Sequence, residues 1–423
     1  VTGCGLSRIA LLVVALALYA GTIPAQREFQ RIGREDGLPH GTVFHISQDR
    51  QGFIWFATMN GIARFDGEQF RIYQHQPRTG NSLSQNNTSG IVEDRSGKLW
   101  IISWGGGVNC FDPATEQFAV YKNDPRDPGS LSGDYVQSAY RDHAGYLWFG
   151  TFKQGLNRFN PETNRFIRYE HDPADPGSLS NNRVWAIAED HAHRLWLATD
   201  DGLNCFDPST GLFQVYRHNP ASNDSLSQNQ VRALFAGRSG CIWVGTESGL
   251  HRLDPETRQF DRIPLAGAGG AWTAGDVIVS LLEDSAGFLW IGTMYGGLRR
   301  LDPATGASEA YFFEPTNPTS LSHNNVRAIF EDNGGNLWVG TRGGGVCRTT
   351  VTASRFHWLR HRPGHPASLS SSNVCAVVEA RQGILWVGVW DGGINRGARA
   401  QLGIDGVMVL KVAPGSAAEK AGL

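Results

Sequence analysis

The chain is poor in charge, in methionine and in cysteine, and it holds one apolar run of any length. Charged residues make up 18% of the 423, with Lys+Arg 38 against Asp+Glu 40 and a formal net charge of -2. No global positive field exists to hold a nucleic-acid backbone. The six cysteines include no Cys-x-x-Cys pair, and Cys110 and Cys205 fill the same slot of a repeat, two units apart. Cys110, Cys205, Cys241, Cys347 and Cys375 therefore read as small buried hydrophobes rather than a disulfide framework. The 13 histidines lack a His-x-x-x-His ligand spacing, so neither a metal nor another cofactor is expected. The apolar run is IALLVVALALYA, which follows Arg8 and leads into the small-residue stretch GTIPA. At about 12 residues it falls short of the roughly 20 that span a bilayer as a helix. Residues 1–25 read as a signal peptide cleaved after Ala25, which places the mature chain in the periplasm or otherwise outside the cytoplasm.

What the chain has in plenty is glycine, 52 residues or about 12% where roughly 7% is usual. Many tight turns follow from that. Tryptophan supplies the period: Trp55, Trp100, Trp148, Trp196, Trp243, Trp290, Trp338 and Trp386 recur at intervals of 45, 48, 48, 47, 47, 48 and 48. Each unit splits at turn signals into four short runs, such as VWAIAED, RLWLAT, GLNCFDP and LFQVYRH. These are too short and too rich in β-branched and aromatic residues for helices. Four antiparallel strands per repeat of about 40–50 residues describe a blade of an all-β propeller.

The turn chemistry agrees. The innermost strand ends in Asp and the next begins after a Gly three residues on, as in Asp49/Gly52, Asp94/Gly97, Asp142/Gly145, Asp284/Gly287 and Asp332/Gly335. Asp accepts from the backbone two residues on and Gly supplies a positive φ, so Asp-x-x-Gly makes a tight hairpin. These repeated carboxylates read as structural, and all eight repeat tryptophans as core, each burying roughly 150–250 Å².

Eight tryptophans need not mean eight blades. The seventh repeat lacks the usual Asp-Pro turn before its last strand, and its Arg355–Leu359 run looks like the Arg27–Ile32 run that opens the mature chain. Residues 26–350 then form a seven-bladed ring closed by the first strand, and 351–397 begin a second ring that is cut short. The alternative is an eight-bladed ring in which the first strand completes the blade holding Gly392–Arg396.

The opening GLPHGTVFHISQDRQGFIWFATMNGIARFDG and the later copies of SLSxNxVxAIxEDxxGxLWxGTxxGGLxRFDPxTxxF resemble the two-component regulator propeller. That is the periplasmic ligand-sensing part of hybrid two-component sensors and related diguanylate-cyclase sensors. The resemblance covers roughly residues 27–397. It implies two seven-bladed rings, a small β-sandwich, a transmembrane helix and a kinase or cyclase output, and in several members the sensing of oligosaccharides. This sequence shows no second complete ring and no output domain, so alone it is expected to bind a signal without transmitting it. Residues 398–423, with GVMVLKV and PGSAAEKAGL, resemble the opening of a bacterial PDZ domain, and a segment this short cannot bury a core of its own.

A ligand is expected on the propeller face where two sets of loops meet around the channel. One set varies inside the fixed frame: Met59-Asn60, Ser103-Trp104, Phe152-Lys153, Asp200-Asp201, Glu247-Ser248, Met294-Tyr295 and Arg342. From this face the candidates are Trp104, Tyr135, Lys153, Arg183, Trp185, Arg232, Glu247, Tyr295, Arg327 and Arg342. Aromatic faces suit sugar rings, and the cations suit hydroxyls or carboxylates, so a saccharide with acidic groups is the expected ligand. The partners are then a small-molecule or oligosaccharide ligand and either a homodimer or an output domain of sensor-kinase or cyclase type. Two other classes stay open. A protein-interaction scaffold would use the rim, and a glycosidase would need paired carboxylates about 5–5.5 Å apart, for which Asp200, Asp201 and Glu247 are the available groups.

Overall fold

The computed structural model describes residues 27–222, 224–264 and 277–351, and beyond them shorter runs between 356 and 409. The segment read as a signal peptide and most of the PDZ-like segment lie outside the described residues. No helix among those described is long and apolar enough to cross a membrane.

Seven four-stranded antiparallel sheets make up the unit that ends at Val351. Their innermost strands are Val43–Gln48, Thr88–Glu93, Val136–Arg141, Val184–Glu189, Val231–Ala236, Ile278–Glu283 and Val326–Glu331, which number the blades 1 to 7. Each innermost strand packs against its neighbours in the adjoining blades, and Val43–Gln48 packs against Val326–Glu331, so the ring is closed. The second strand of each blade is almost wholly buried, because both of its faces meet an adjacent blade. Outermost strands alternate or expose most of their residues.

The seventh blade takes its outermost strand from the other end of the chain. Gln30–Ile32 pairs antiparallel with Val346–Thr350, Gln30 lying opposite Arg348 and Ile32 opposite Val346. That pairing is at odds with the eight-bladed alternative, because the strand by which that ring would have closed is used at blade 7. The residues around Gly393 pair instead with Ile384–Val389.

The repeat tryptophans of the seven blades are buried, and in six of them the indole is also tied to the hairpin aspartate. Trp55 Nε1 donates to Asp49 at 2.7 Å, and the same bond joins Trp100 to Asp94, Trp148 to Asp142, Trp196 to Asp190, Trp290 to Asp284 and Trp338 to Asp332, at 2.7 or 2.8 Å. The other carboxylate oxygen of Asp49 accepts from the backbone of Gln51 and Phe53, so one side chain both shapes the hairpin and satisfies a buried donor. The sequence pattern gave the hairpin role but not the indole bond.

The second compact unit comprises Thr352–Leu423. It holds a three-stranded antiparallel sheet of Val374–Ala380, Ile384–Val389 and Gly393–Ala398, and a parallel pair of Phe356–Trp358 with Val407–Val409. Two expectations fail here. Trp386 is 41% exposed rather than core, and Cys375 is exposed while the other four cysteines are buried. Both residues lie on this three-stranded sheet, whereas the buried tryptophans and cysteines lie in the four-stranded blades.

Candidate functional site

All seven innermost strands share one irregularity. In blade 1, Val43 pairs with Thr58 and His45 with Ala57, so Phe44 is left without a partner. The same skip singles out Ser89, Gln137, Trp185, Arg232, Val279 and Arg327. A bulge takes its extra residue out of the alternation and re-aims its side chain. The ring thus presents six kinds of residue at one structural position, arginine occurring twice.

Two further positions per blade are locked to that one. The first residue of the variable loop donates its N–H to the carbonyl just ahead of the innermost strand: Trp104 to Asn87, Phe152 to Tyr135, Glu247 to Gln230 and Arg342 to Asn325. The asparagines of the Ser-Leu-Ser segments divide accordingly. Asn86, Asn182, Asn229 and Asn324 each accept a backbone N–H from the end of the preceding blade, so they are turn supports. The next residue, Asn87, Arg183, Gln230 or Asn325, is the variable one.

Seven of the ten candidate residues come together across blades 2 to 5. Trp104 and Tyr135 meet edge to face at 5.3 Å, and Trp104 meets Phe152 at 4.9 Å. The Arg183 guanidinium lies 3.8 Å from the centre of the Phe152 ring, and that of Arg232 lies 4.0 Å from the Trp185 ring. Lys153 lies more loosely over Phe152, at 5.9 Å. Asp200 ties the ladder together, accepting from Arg183 at 2.8 Å, Trp185 Nε1 at 2.7 Å and Arg232 at 3.0 Å. Arg232 also donates through Nε to Glu247 at 2.9 Å. Phe152, Lys153, His171, Asn181, Asn182, Arg183 and Asp200 line an open cleft of about 320 Å³. Phe152 and Asp200 were not among the ten candidates, although both fill the same variable loop slot as Trp104.

The charges in this cluster are largely matched, since two arginines face two carboxylates. Glu247 is thereby an ion-pair partner of Arg232 as well as a lining residue. Asp200 and Glu247 share one guanidinium, and Asp201 is paired with Arg217 at 2.9 Å, so all three carboxylates weighed for a glycosidase are engaged in ion pairs.

The other three candidates stand on blades 6 and 7. Tyr295 is 64% exposed on its loop. Arg327 has its Nε shut away from solvent without a hydrogen-bond partner. Burial, and then the charge of nearby Arg342, hold the Arg327 guanidinium below its ordinary pKa. Among the described residues neither arginine is paired with a carboxylate. Two like charges, one with a buried unfilled donor, make an anion-seeking spot, unlike the neutralised cluster on blades 4 and 5.

A second groove of about 330 Å³ lies on the outer edge between blades 2 and 3, against Val120, Asp127 and Arg165, away from the variable loops.

Comparison with known proteins gives these loops a context. Residues 37–60, 130–153, 178–201, 225–248, 274–295 and 320–343 match the family model "Two component regulator propeller". The extracellular domain of the hybrid two component system BT3049 from B. thetaiotaomicron is 29% identical over 89% of this chain and 48% of its own, with a TM-score of 0.67. Histidine kinase P4 of Formosa agariphila is 33% identical over 75 residues, which are 17% of this chain and 6% of that protein. Virginiamycin B lyase from Staphylococcus aureus, 11% identical over 77% of this chain and 99% of its own at a TM-score of 0.58, shares the fold alone. The chain spans about half the length of the hybrid-system domain and a small part of the kinase. Matching repeats, the seven-bladed ring and its likeness to that extracellular domain agree that this ring is a two-component regulator propeller, like those of hybrid two-component systems.

Proposed function

We propose that the chain is the extracytoplasmic sensor region of a hybrid two-component system, that it is not catalytic, and that its ligand is a saccharide bearing acidic groups. The observation that carries the reading is the ladder of Trp104, Phe152, Arg183, Trp185 and Arg232 beside the cleft. Flat apolar faces alternate there with planar donors, which is the surface a chain of sugar rings can stack on and hydrogen-bond to. Arg327 and Arg342 then receive a carboxylate or sulfate, because a bound anion would relieve the repulsion that the free protein carries. The output partner in this reading is a kinase-type domain, and the exported location follows from the signal-peptide pattern and from the extracellular relatives.

Thermal unfolding of the mature chain against neutral and uronic-acid-containing oligosaccharides tests this. A ligand at 100 times its dissociation constant adds about 2.7 kcal/mol of stability. The expected result is a shift with acidic oligosaccharides that Trp104→Ala abolishes and Arg327→Ala reduces. Arg327→Ala removes a repelling charge, so it should fold at least as well as the native chain. If no glycan moves the transition of the well-folded chain, the saccharide reading fails.

A further inference from the structure

The hairpins that join the innermost and second strands end in a residue with positive φ, and six of the seven blades use glycine there: Gly52, Gly97, Gly145, Gly240, Gly287 and Gly335. Blade 4 has His193, at φ +64. A side chain in this region is strained where glycine is not, so the exception asks for a reason. The ring of His193 lands on that of His143 from the hairpin of blade 3, with centroids 3.4 Å apart and planes at 19°. Both Nδ1 atoms face Oε1 of Glu189, that of His193 at 3.3 Å, and that of His143 in direct contact. The ligand atoms of the three residues lie within 4.8 Å of one another.

The carboxylate is held in place before any ligand arrives. Oε2 of Glu189 accepts the backbone N–H of His143 at 2.8 Å. Blades 2, 6 and 7 make the same bond through Glu93, Glu283 and Glu331, with Arg50, Arg238 and Ser285 as donors. The glutamate is thus a general clamp between neighbouring blades. What is particular to blades 3 and 4 is that two imidazoles converge on its remaining oxygen. In blade 1 the residue equivalent to His143 is Arg50, whose ion pair with Glu93 uses that oxygen in the ordinary way.

We propose that His143, Glu189 and His193 bind one divalent transition-metal ion of borderline softness, such as Zn²⁺ or Ni²⁺, on the hairpin face opposite the variable loops. Two imidazole nitrogens and one carboxylate are the donor set that suits these ions and does not suit Mg²⁺ or Ca²⁺. The Glu189 side chain is only 7% exposed while the two rings are about half exposed, at 49% and 53%. The rings are therefore free to turn from a parallel stack to a converging pair around a fixed carboxylate. Bound metal would staple the hairpins of blades 3 and 4, and water would fill its remaining positions. Sequence spacing concealed the set, because its two histidines are 50 positions apart and are brought together only by the stacking of blades.

The test is calorimetric titration of Zn²⁺ into the metal-stripped, tag-free chain at neutral pH, with thermal unfolding alongside. One equivalent should bind and raise the transition temperature, and both effects should disappear in His193→Gly. That variant restores the residue six other blades use, so its fold is not at risk. His143→Arg, copying blade 1, should also lose the ion while keeping the clamp. Binding should weaken at pH 5, where protons compete for the imidazoles. Uptake of the same equivalent by His193→Gly, or no uptake by the native chain, would overturn the proposal.

Discussion

Single residues in this ring can be judged against six copies of themselves, and the most informative is one that is missing. Blade 5 has Gly237 where six blades have the hairpin aspartate, and the indole N–H of Trp243, buried like the others, has no partner. The hairpin still forms through its backbone bonds, Gly237 donating to Cys241 and Gly240 to Gly237. A buried donor left unmade costs about 1–3 kcal/mol. Gly237→Asp should recover part of that, raising stability by about 1–2 kcal/mol in a denaturant titration. A Cβ at Gly237 would meet Cys241 Sγ and Glu283 Oε2 at 2.9 Å, both ends of side chains that can turn aside. Glu93, the counterpart of Glu283, already coexists with Asp49 across the boundary between blades 1 and 2. A neutral or destabilising result would show that the space is closed by Cys241. At this scale the sequence was a partial guide: Asp-x-x-Gly revealed the turn, but the bond from indole to carboxylate needs the strand geometry that sets residues six apart side by side.

The strand is the scale at which repeat position becomes chemistry. In the third strands of blades 2, 3 and 4, Asn109, Asn157 and Asn204 accept the backbone N–H of a Ser-Leu-Ser serine. Blade 5 has His251 there, its Nε2 accepting from Ser227 at 3.0 Å and its Nδ1 buried without a partner. Burial, helped by Arg262, lowers the pKa of His251 from 6.5 to about 4. The folded state therefore stays neutral where the unfolded chain takes up a proton. Stability is unaffected above about pH 6.5, falls as pH drops toward 4 and is then fully reduced, by about 3 kcal/mol from this one group. His251→Asn keeps the serine bond and should flatten that acid limb, as read from urea midpoints at pH 7 and pH 4; an unchanged limb would place the titration elsewhere. Strand count and turn positions were legible because they repeat, whereas the bulge that selects Phe44, Trp185, Arg232 and Arg327 was not. It is a property of register between two strands, and register leaves no mark in the order of residues along one of them. The cation–aromatic ladder was legible only as a list of variable loop residues, since its cohesion depends on Asp200 reaching into the next blade.

For the whole molecule the decisive bond is the one that closes the circle. Arg31, on the strand that completes blade 7, donates to the backbone carbonyls of Asn317, Ser320 and Leu321 and to the Ser320 hydroxyl, at 2.7 to 3.0 Å. Arg168 makes the matching set in blade 3, to Asp127, Ser130 and Leu131. The contacts are alike but their chain context is not. The outer strand bearing Arg168 is tethered by a short hairpin to its own sheet, whereas Arg31 reaches a serine 289 positions away. Loop-closure entropy grows as three halves RT ln n, so in folding from the open chain the pairing made by the strand of Arg31 costs about 3–4 kcal/mol more than the hairpin pairing made by that of Arg168. The outer strand of blade 7 is also three residues long and has no hairpin to its own sheet, so blade 7 is where the ring should open first. Arg31→Ala should raise hydrogen exchange in Gln30–Ile32 and in the Val346–Thr350 strand it covers, at denaturant concentrations where the rest of the ring stays protected. Arg168→Ala should lower global stability without any such local opening. Equal protection of both outer strands in the two variants would mean that burial of Phe29 against Tyr311, rather than Arg31, holds the circle shut. In either case the ring's integrity depends on the first described strand, which adjoins the signal-like segment, so a ring of this build is complete only after its N-terminal strand has been threaded back to blade 7.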